Sequence, residues 1–167
     1  MIRLIVAHLL MEEHMLEKSK KEAKERVAKA IHFYSNSGKD IALAEFTNPK
    51  GPFVQDEMYI FVLNHEGTML AHGVNEKYAG KNFINLKDTD GKSFIREIVD
   101  TANVKGSGFV DYKWYNPLTK DIKPKSAYFE KVDGMIFCGG IYIEKWLEFI
   151  SYNIQSLSNG TGRENTV

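Results

Sequence analysis

The stretch GSGFVDYKWYNPLTKDIKPKSAYFEKVDGMIFCGGIYI, residues 106–143, decides the fold. Three runs rich in aromatic and β-branched residues, Phe109–Tyr115, Ser126–Lys131 and Met135–Ile143, read as strands. Asn116-Pro117 breaks the first from the second, and Asp133-Gly134 is the dipeptide of a tight hairpin turn. Upstream, Met58–Leu63 is a fourth run of the same kind. Asn64-His65-Glu66-Gly67 turns it back into Thr68–His72, a fifth. Connections this short join antiparallel neighbours, so the chain is expected to hold a five-stranded antiparallel sheet in an α+β fold.

Helices flank the strands. From Arg3 to Ser37 there is no Gly or Pro, and Leu9, Leu16, Ala23, Val27, Ala30, Ile31 and Tyr34 recur at helical spacing. Oppositely charged pairs such as Glu22 and Arg26 decorate the rest. At 1.5 Å per residue this helix is about 50 Å long, longer than a domain of this size is wide. It therefore reads either as a solvated charged helix or as a stalk that pairs with a second chain. Ser37-Gly38-Lys39 stops it, and a short helix Asp40–Phe46 is expected next, before Asn48-Pro49-Lys50-Gly51-Pro52 breaks the chain. Asn75–Asn85 is loop-like, Ser93–Ala102 is helical, and Glu144–Leu157 reads as a closing helix. One domain over residues 1–157 accounts for all of this. Ser158–Val167 is polar and patternless, and is expected to be a flexible tail with the look of a vector remnant.

Composition removes whole classes of function. Across 167 residues, 22 Lys and Arg balance 22 Asp and Glu, which argues against a nucleic-acid binder. The single cysteine, Cys138, can build neither an intrachain disulfide nor a multi-thiolate zinc site, and its apolar surroundings suit a buried small hydrophobe. No apolar run approaches the roughly 20 residues that span a bilayer, and no signal peptide is visible. The five histidines show no metal-ligand spacing. Gly106-Ser107-Gly108 lacks the rest of a dinucleotide fingerprint, and there is no Gly-x-Ser-x-Gly elbow. Asp88-Thr89-Asp90-Gly91 could pass for part of a calcium loop ending at Glu97. Leu86, however, stands where the first ligand belongs, and a turn with Asp90 or Ser93 capping the next helix is the plainer reading. No catalytic residue, metal or cofactor is expected.

Several short pieces taken in order carry a resemblance. They are Tyr59-Ile60-Phe61-Val62 with Gly67, Leu70-Ala71-His72, Gly80-Lys81-Asn82, and Leu86-Lys87-Asp88-Thr89-Asp90-Gly91-Lys92. Gly108-Phe109-Val110-Asp111-Tyr112-Lys113-Trp114, Asn116-Pro117, Pro124-Lys125-Ser126-Ala127-Tyr128 and Gly139-Gly140-Ile141-Tyr142 follow. The chain resembles the Cache family of extracellular sensor domains, of the single-Cache type, over residues 1–150. The resemblance implies a PAS-like sheet and a periplasmic position in a membrane-anchored parent, most often a chemotaxis receptor, alternatively a histidine kinase or cyclic-dinucleotide enzyme. It also implies a homodimer through the N-terminal helix and a small carboxylate ligand of the acetate, propionate, pyruvate or lactate class. A soluble PAS-like binding module is the competing reading. The family's usual proline after the histidine is Gly73 here, which is expected to leave the following loop less rigid.

A two- to four-carbon acid offers little apolar area. Its affinity must come from charge-assisted hydrogen bonds in a dry pocket with aromatic walls. Lys125 is the candidate cation. Read without the resemblance it is a lysine at a strand start, of the kind that guards a sheet edge; the family motif makes it ligand-facing. His72 is a candidate donor or a structural histidine. Tyr59 with Phe61, and Tyr112 with Trp114, each share a strand face by alternation and serve as core, pocket wall or both. Tyr115 and Tyr128 are further candidates for wall or hydroxyl.

Overall fold

The computed structural model describes residues 2–143. The expected closing helix Glu144–Leu157 and the tail Ser158–Val167 lie outside the described residues. Helix α1 runs Ile2–Ser37 and α2 Lys39–Thr47, with Gly38 between them at φ 82°. Its left-handed backbone lets the Gly38 N–H reach back to the Tyr34 carbonyl at 2.9 Å, ending one helix and starting the next. Strands β1 (Val54–Gln55), β2 (Met58–Asn64) and β3 (Met69–His72) follow, then α3 (Phe94–Lys105). Three longer strands complete the described residues: β4 (Ser107–Tyr115), β5 (Ile122–Val132) and β6 (Met135–Tyr142).

All pairings are antiparallel, in the order β1-β2-β6-β5-β4, with β3 alongside β2. The α+β fold and its five expected strands are present, and the two-residue β1 is an addition. The Asp133-Gly134 turn has positive φ at both residues (50° and 76°), the backbone that matches strand twist in a two-residue hairpin.

One boundary matters for function. Strand β5 begins at Ile122 rather than Ser126, so Lys125 is inside a strand, not at its start. Pro124 pairs with Lys113 of β4 but lies past the last β5–β6 pairing, Lys125 with Tyr142. On that side the Pro124 carbonyl still accepts the Ile143 N–H at 2.9 Å, and the ladder ends there because proline has no N–H to return. With β4 on one side and β6 on the other, Lys125 guards no edge.

The sheet separates two apolar layers by strict alternation. Ile60, Val62 and Phe137 face α1 and α2, where Val27, Ala30, Phe46 and Phe53 cover them. Tyr59, Phe61, Leu63, Val110, Tyr112, Phe129, Ile136 and Cys138 face the other way, under Phe94, Ile95, Ile98, Val99 and Ala102 of α3. Only the second half of α1 packs on the sheet. Its first half leaves Ile2, Val6, Leu9, Leu10, Met11 and Met15 exposed. Among the described residues no helix is long and apolar enough to cross a membrane.

Candidate functional site

The α3 side of the sheet carries the candidate site. Tyr59 and Phe61 rise from β2, His72 ends β3, and Tyr112 and Trp114 stand on β4, all lining one cavity. The segment between β3 and α3 closes over them with Tyr78, Phe83 and Leu86, and α3 adds Phe94 and Ile95. The rings form a continuous wall. Phe94 stacks on Tyr112 at 4.1 Å with 7° between planes, His72 lies 4.8 Å from Tyr59 and 5.0 Å from Tyr78, and Tyr78 meets Phe83 at 5.2 Å. The cavity left inside is about 20 Å³, little more than the roughly 10–15 Å³ that one water-sized group needs.

The covering segment is tied down by backbone bonds. Met69 N–H donates to the Lys81 carbonyl at 2.9 Å, Gly80 N–H to Met69 at 2.8 Å, and Phe83 N–H to Gly67 at 2.9 Å. At its start, Gly73 N–H donates to the Ile60 carbonyl at 3.0 Å, a bond that proline could not make. The loop expected to be loosened by Gly73 is thus pinned by other means. Lower down, Asp88 accepts the N–H groups of Asp90 and Lys92 at 2.9 Å and of Lys113 at 3.0 Å. That is a turn held to β4, as the plainer reading had it. The hydroxyl of Ser93, the residue before α3, makes no capping bond, so the expected side-chain cap is absent.

His72 is 3% exposed. Its Nδ1 accepts the N–H of Asn75 at 3.1 Å and lies 3.4 Å from that of Val74. Burial, and then the nearby charge of Lys125, push its pKa down to about 3. The ring is therefore neutral near pH 7, and because Nδ1 is an acceptor its proton resides on Nε2.

Lys125 is fully buried, and its Nζ has no hydrogen-bond partner. It does not itself line the cavity. It rests on two rings that do, with Nζ 3.9 Å from the centre of Tyr59 and 5.8 Å from that of Phe61, and 4.9 Å from Tyr142. Burial pulls its pKa down to about 7, against the smaller opposing influences of Cys138 and Glu57. The aliphatic stem passes over Gly140, where any Cβ would collide with Lys125 Cε. The Tyr59 and Tyr142 rings both flank this ammonium. The Tyr142 hydroxyl donates to the Tyr115 carbonyl at 2.6 Å, fixing the floor against the end of β4.

Six of the eight expected site residues thus gather in one place: Tyr59, Phe61, His72, Tyr112, Trp114 and Lys125. Tyr115 and Tyr128 do not. Tyr115 is 46% exposed and contributes only its carbonyl. Tyr128 is on the α1 side of the sheet, its ring 5.1 Å from Phe109 and its hydroxyl donating to Glu130 at 3.2 Å. Both fall on the wrong parity of their strands. Sequence reasoning missed Tyr78, Phe83, Phe94, Gly140 and Tyr142. The rings of Tyr78 and Phe83, with Ile84 beside them in the mostly polar Asn75–Asn85 segment, were the available signal for the covering segment. Among the described residues no group of three His, Cys, Asp or Glu could hold a metal ion.

Known structures share this architecture. A methyl-accepting chemotaxis protein from Vibrio parahaemolyticus superposes with a TM-score of 0.73 at 24% identity, covering 83% of this chain and 97% of that one. A Cache chemosensory domain described for its recognition of carboxylic acids gives a TM-score of 0.61 at 22% identity, covering 82% and 99%. Among curated proteins, the sensor histidine kinase MctS of Rhizobium johnstonii is 31% identical over 88 residues, 52% of this chain and 19% of that protein. The methyl-accepting chemotaxis protein McpP of Pseudomonas putida is 26% identical over 88 residues, 52% and 16%. The matched region is therefore less than a fifth of the length of these relatives. The family described as single Cache domain 2 matches residues 3–145, nearly the whole described chain, and the protein belongs to that family.

Proposed function

We propose that this domain senses a small monocarboxylate of two to four carbons outside the cytoplasm and that Lys125 supplies the cation for it. As a Cache sensor domain the chain is a ligand-binding module of a receptor or sensor kinase, not a catalyst. The observation that carries the ligand class is the buried Lys125 Nζ without a partner. An ammonium taken out of water with nothing to bond costs free energy that an incoming carboxylate returns. The neutral His72 offers one further N–H from Nε2. The apolar cavity walled by Trp114, Phe94 and Tyr78 has room as it stands for about one water-sized group, so in this proposal its walls shift to admit a short acid and shut out a long one. In the bound state Lys125 turns from the Tyr59 ring toward the cavity.

The parent protein in this proposal is a membrane-anchored methyl-accepting chemotaxis receptor. A sensor histidine kinase is the second reading, favoured by the 31% match to MctS. The exposed apolar residues of the first half of α1 are proposed to pair with a second copy, as a homodimer, and to pass the ligand's effect along the helix. Thermal-shift screening of acetate, propionate, pyruvate and lactate tests the ligand class. At least one acid raises the melting temperature of the natural domain and leaves a Lys125→Met variant unmoved. If none of these acids shifts it, the carboxylate proposal fails.

A further inference from the structure

We infer that Lys125 takes up a proton from solvent as an acid anion binds, so that the sensor loses affinity for its ligand as the surroundings turn alkaline. This rests on the acid site proposed above and adds its regulation. The geometry behind it is the enclosure of the ammonium, fully buried, without a hydrogen bond, and against the faces of Tyr59, Phe61 and Tyr142. Burial without a hydrogen bond favours the neutral amine, which the attraction of the ring faces for the cation offsets only in part; an opposite charge within about 4–6 Å reverses the preference.

The groups facing Lys125 from each neighbouring element do not supply that charge in full. Glu57, before β2, acts on Lys125, but its Oε2 already accepts the Asn116 side-chain N–H at 3.2 Å. Tyr59 on β2 and Tyr112 on β4 are phenols held neutral by burial, and Tyr142 on β6 is pushed up to about 12. Burial raises the Cys138 thiol on β6 well above its usual value. His72 on β3 is neutral throughout this range, with a pKa of about 3. Lys125 also borders an outer groove with Asp88, Asp90, Lys92, Asp111 and Lys113. There Lys113 pairs with Asp90 at 3.0 Å and Lys92 with Glu97 at 3.1 Å, while Asp88 is spent on backbone N–H groups. Lys125, depressed to about 7, is thus the pocket group poised to gain a proton near neutrality.

The test is calorimetric titration of the domain with propionate and acetate between pH 6 and 8.5, in phosphate and in Tris, with an NMR titration of the Lys125 side chain in the empty domain. With an empty-state midpoint near 7, affinity falls about 30-fold from pH 6 to pH 8.5. Buffer dependence of the heat then gives about half a proton taken up at pH 7 and about one at pH 8.5. Binding with a flat pH profile and no proton uptake overturns the inference and leaves the acid site standing. An empty-state midpoint above about 9.5 overturns it by itself. Failure of both acids to bind at pH 6 removes the acid site and the coupled proton uptake together, and the NMR midpoint then reports the state of Lys125 alone.

Discussion

Replacing Lys125 with methionine is expected to make the domain more stable and blind to its ligand. The side chain occupies a fully buried position with no hydrogen-bond partner for its ammonium. Its pKa falls from the ordinary 10.5 to about 7 because of that burial. Between these values the unfolded chain holds a proton that the folded chain lacks. Stability therefore rises with pH across the interval, by about 1.4 kcal/mol per unit, and at pH 7 the buried amine costs about 4 kcal/mol. Methionine has a similar reach and no charge, so it removes most of this cost while still covering Gly140 and the Tyr59 ring. A gain of about 2–4 kcal/mol corresponds to roughly 5–15 °C in melting temperature for a chain of this length. Thermal and urea unfolding of both proteins from pH 6 to 9.5 provide the assay. The natural domain gains stability toward pH 9.5 and Lys125→Met does not, so the gap between them narrows with rising pH. A variant that melts below the natural domain at pH 7, or two pH profiles that run parallel, refutes this account of Lys125.

Three further substitutions probe the surroundings. Gly140→Ala places a methyl group against Lys125 Cε; stability drops by about 1–3 kcal/mol in chemical denaturation and propionate affinity falls at least tenfold by calorimetry. Gly73→Pro removes the N–H bonded to the Ile60 carbonyl and adds a Cβ that would lie 2.9 Å from Tyr59 Cβ; a loss of about 2–4 kcal/mol is expected in the same measurement, and an unchanged stability contradicts the pinned-loop reading. Phe46→Ala opens the α2 side of the sheet, where Phe46 meets Phe53 at 4.7 Å and Phe137 at 6.1 Å. It costs about 3–5 kcal/mol in unfolding experiments while leaving acid affinity within twofold, since the sheet separates it from the site.

The strands and the long helix were legible because their signals are local: alternation, turn dipeptides and an uninterrupted helical period. Face assignment was legible too, and Tyr115 and Tyr128 show where it was not applied. Tyr112 and Trp114 share parity and share the site, whereas Tyr115 has the opposite parity and points away. Lys125 and Tyr128, three residues apart in one strand, must lie on opposite faces. Pro124 hid the true start of β5, because proline reads as a break until the ladder beside it is known to have ended. The covering segment was illegible for a different reason. Its closure over the sheet depends on bonds such as Phe83 N–H to the Gly67 carbonyl and Met69 N–H to the Lys81 carbonyl, which link stretches without local periodicity. Gly140 and Tyr142 gain their roles only once β6 is placed beside β5, where one leaves room for the lysine stem and the other walls its ammonium.

The central claim is that a buried, unpartnered ammonium draws a carboxylate into an aromatic enclosure. Calorimetric titration of the natural domain at pH 6.5 with propionate and, separately, with propionamide tests it most directly, because the two differ little in size and shape but only one carries charge. The account predicts saturable binding of propionate and none of propionamide at the same concentrations. Equal binding of both, or of the amide alone, contradicts it.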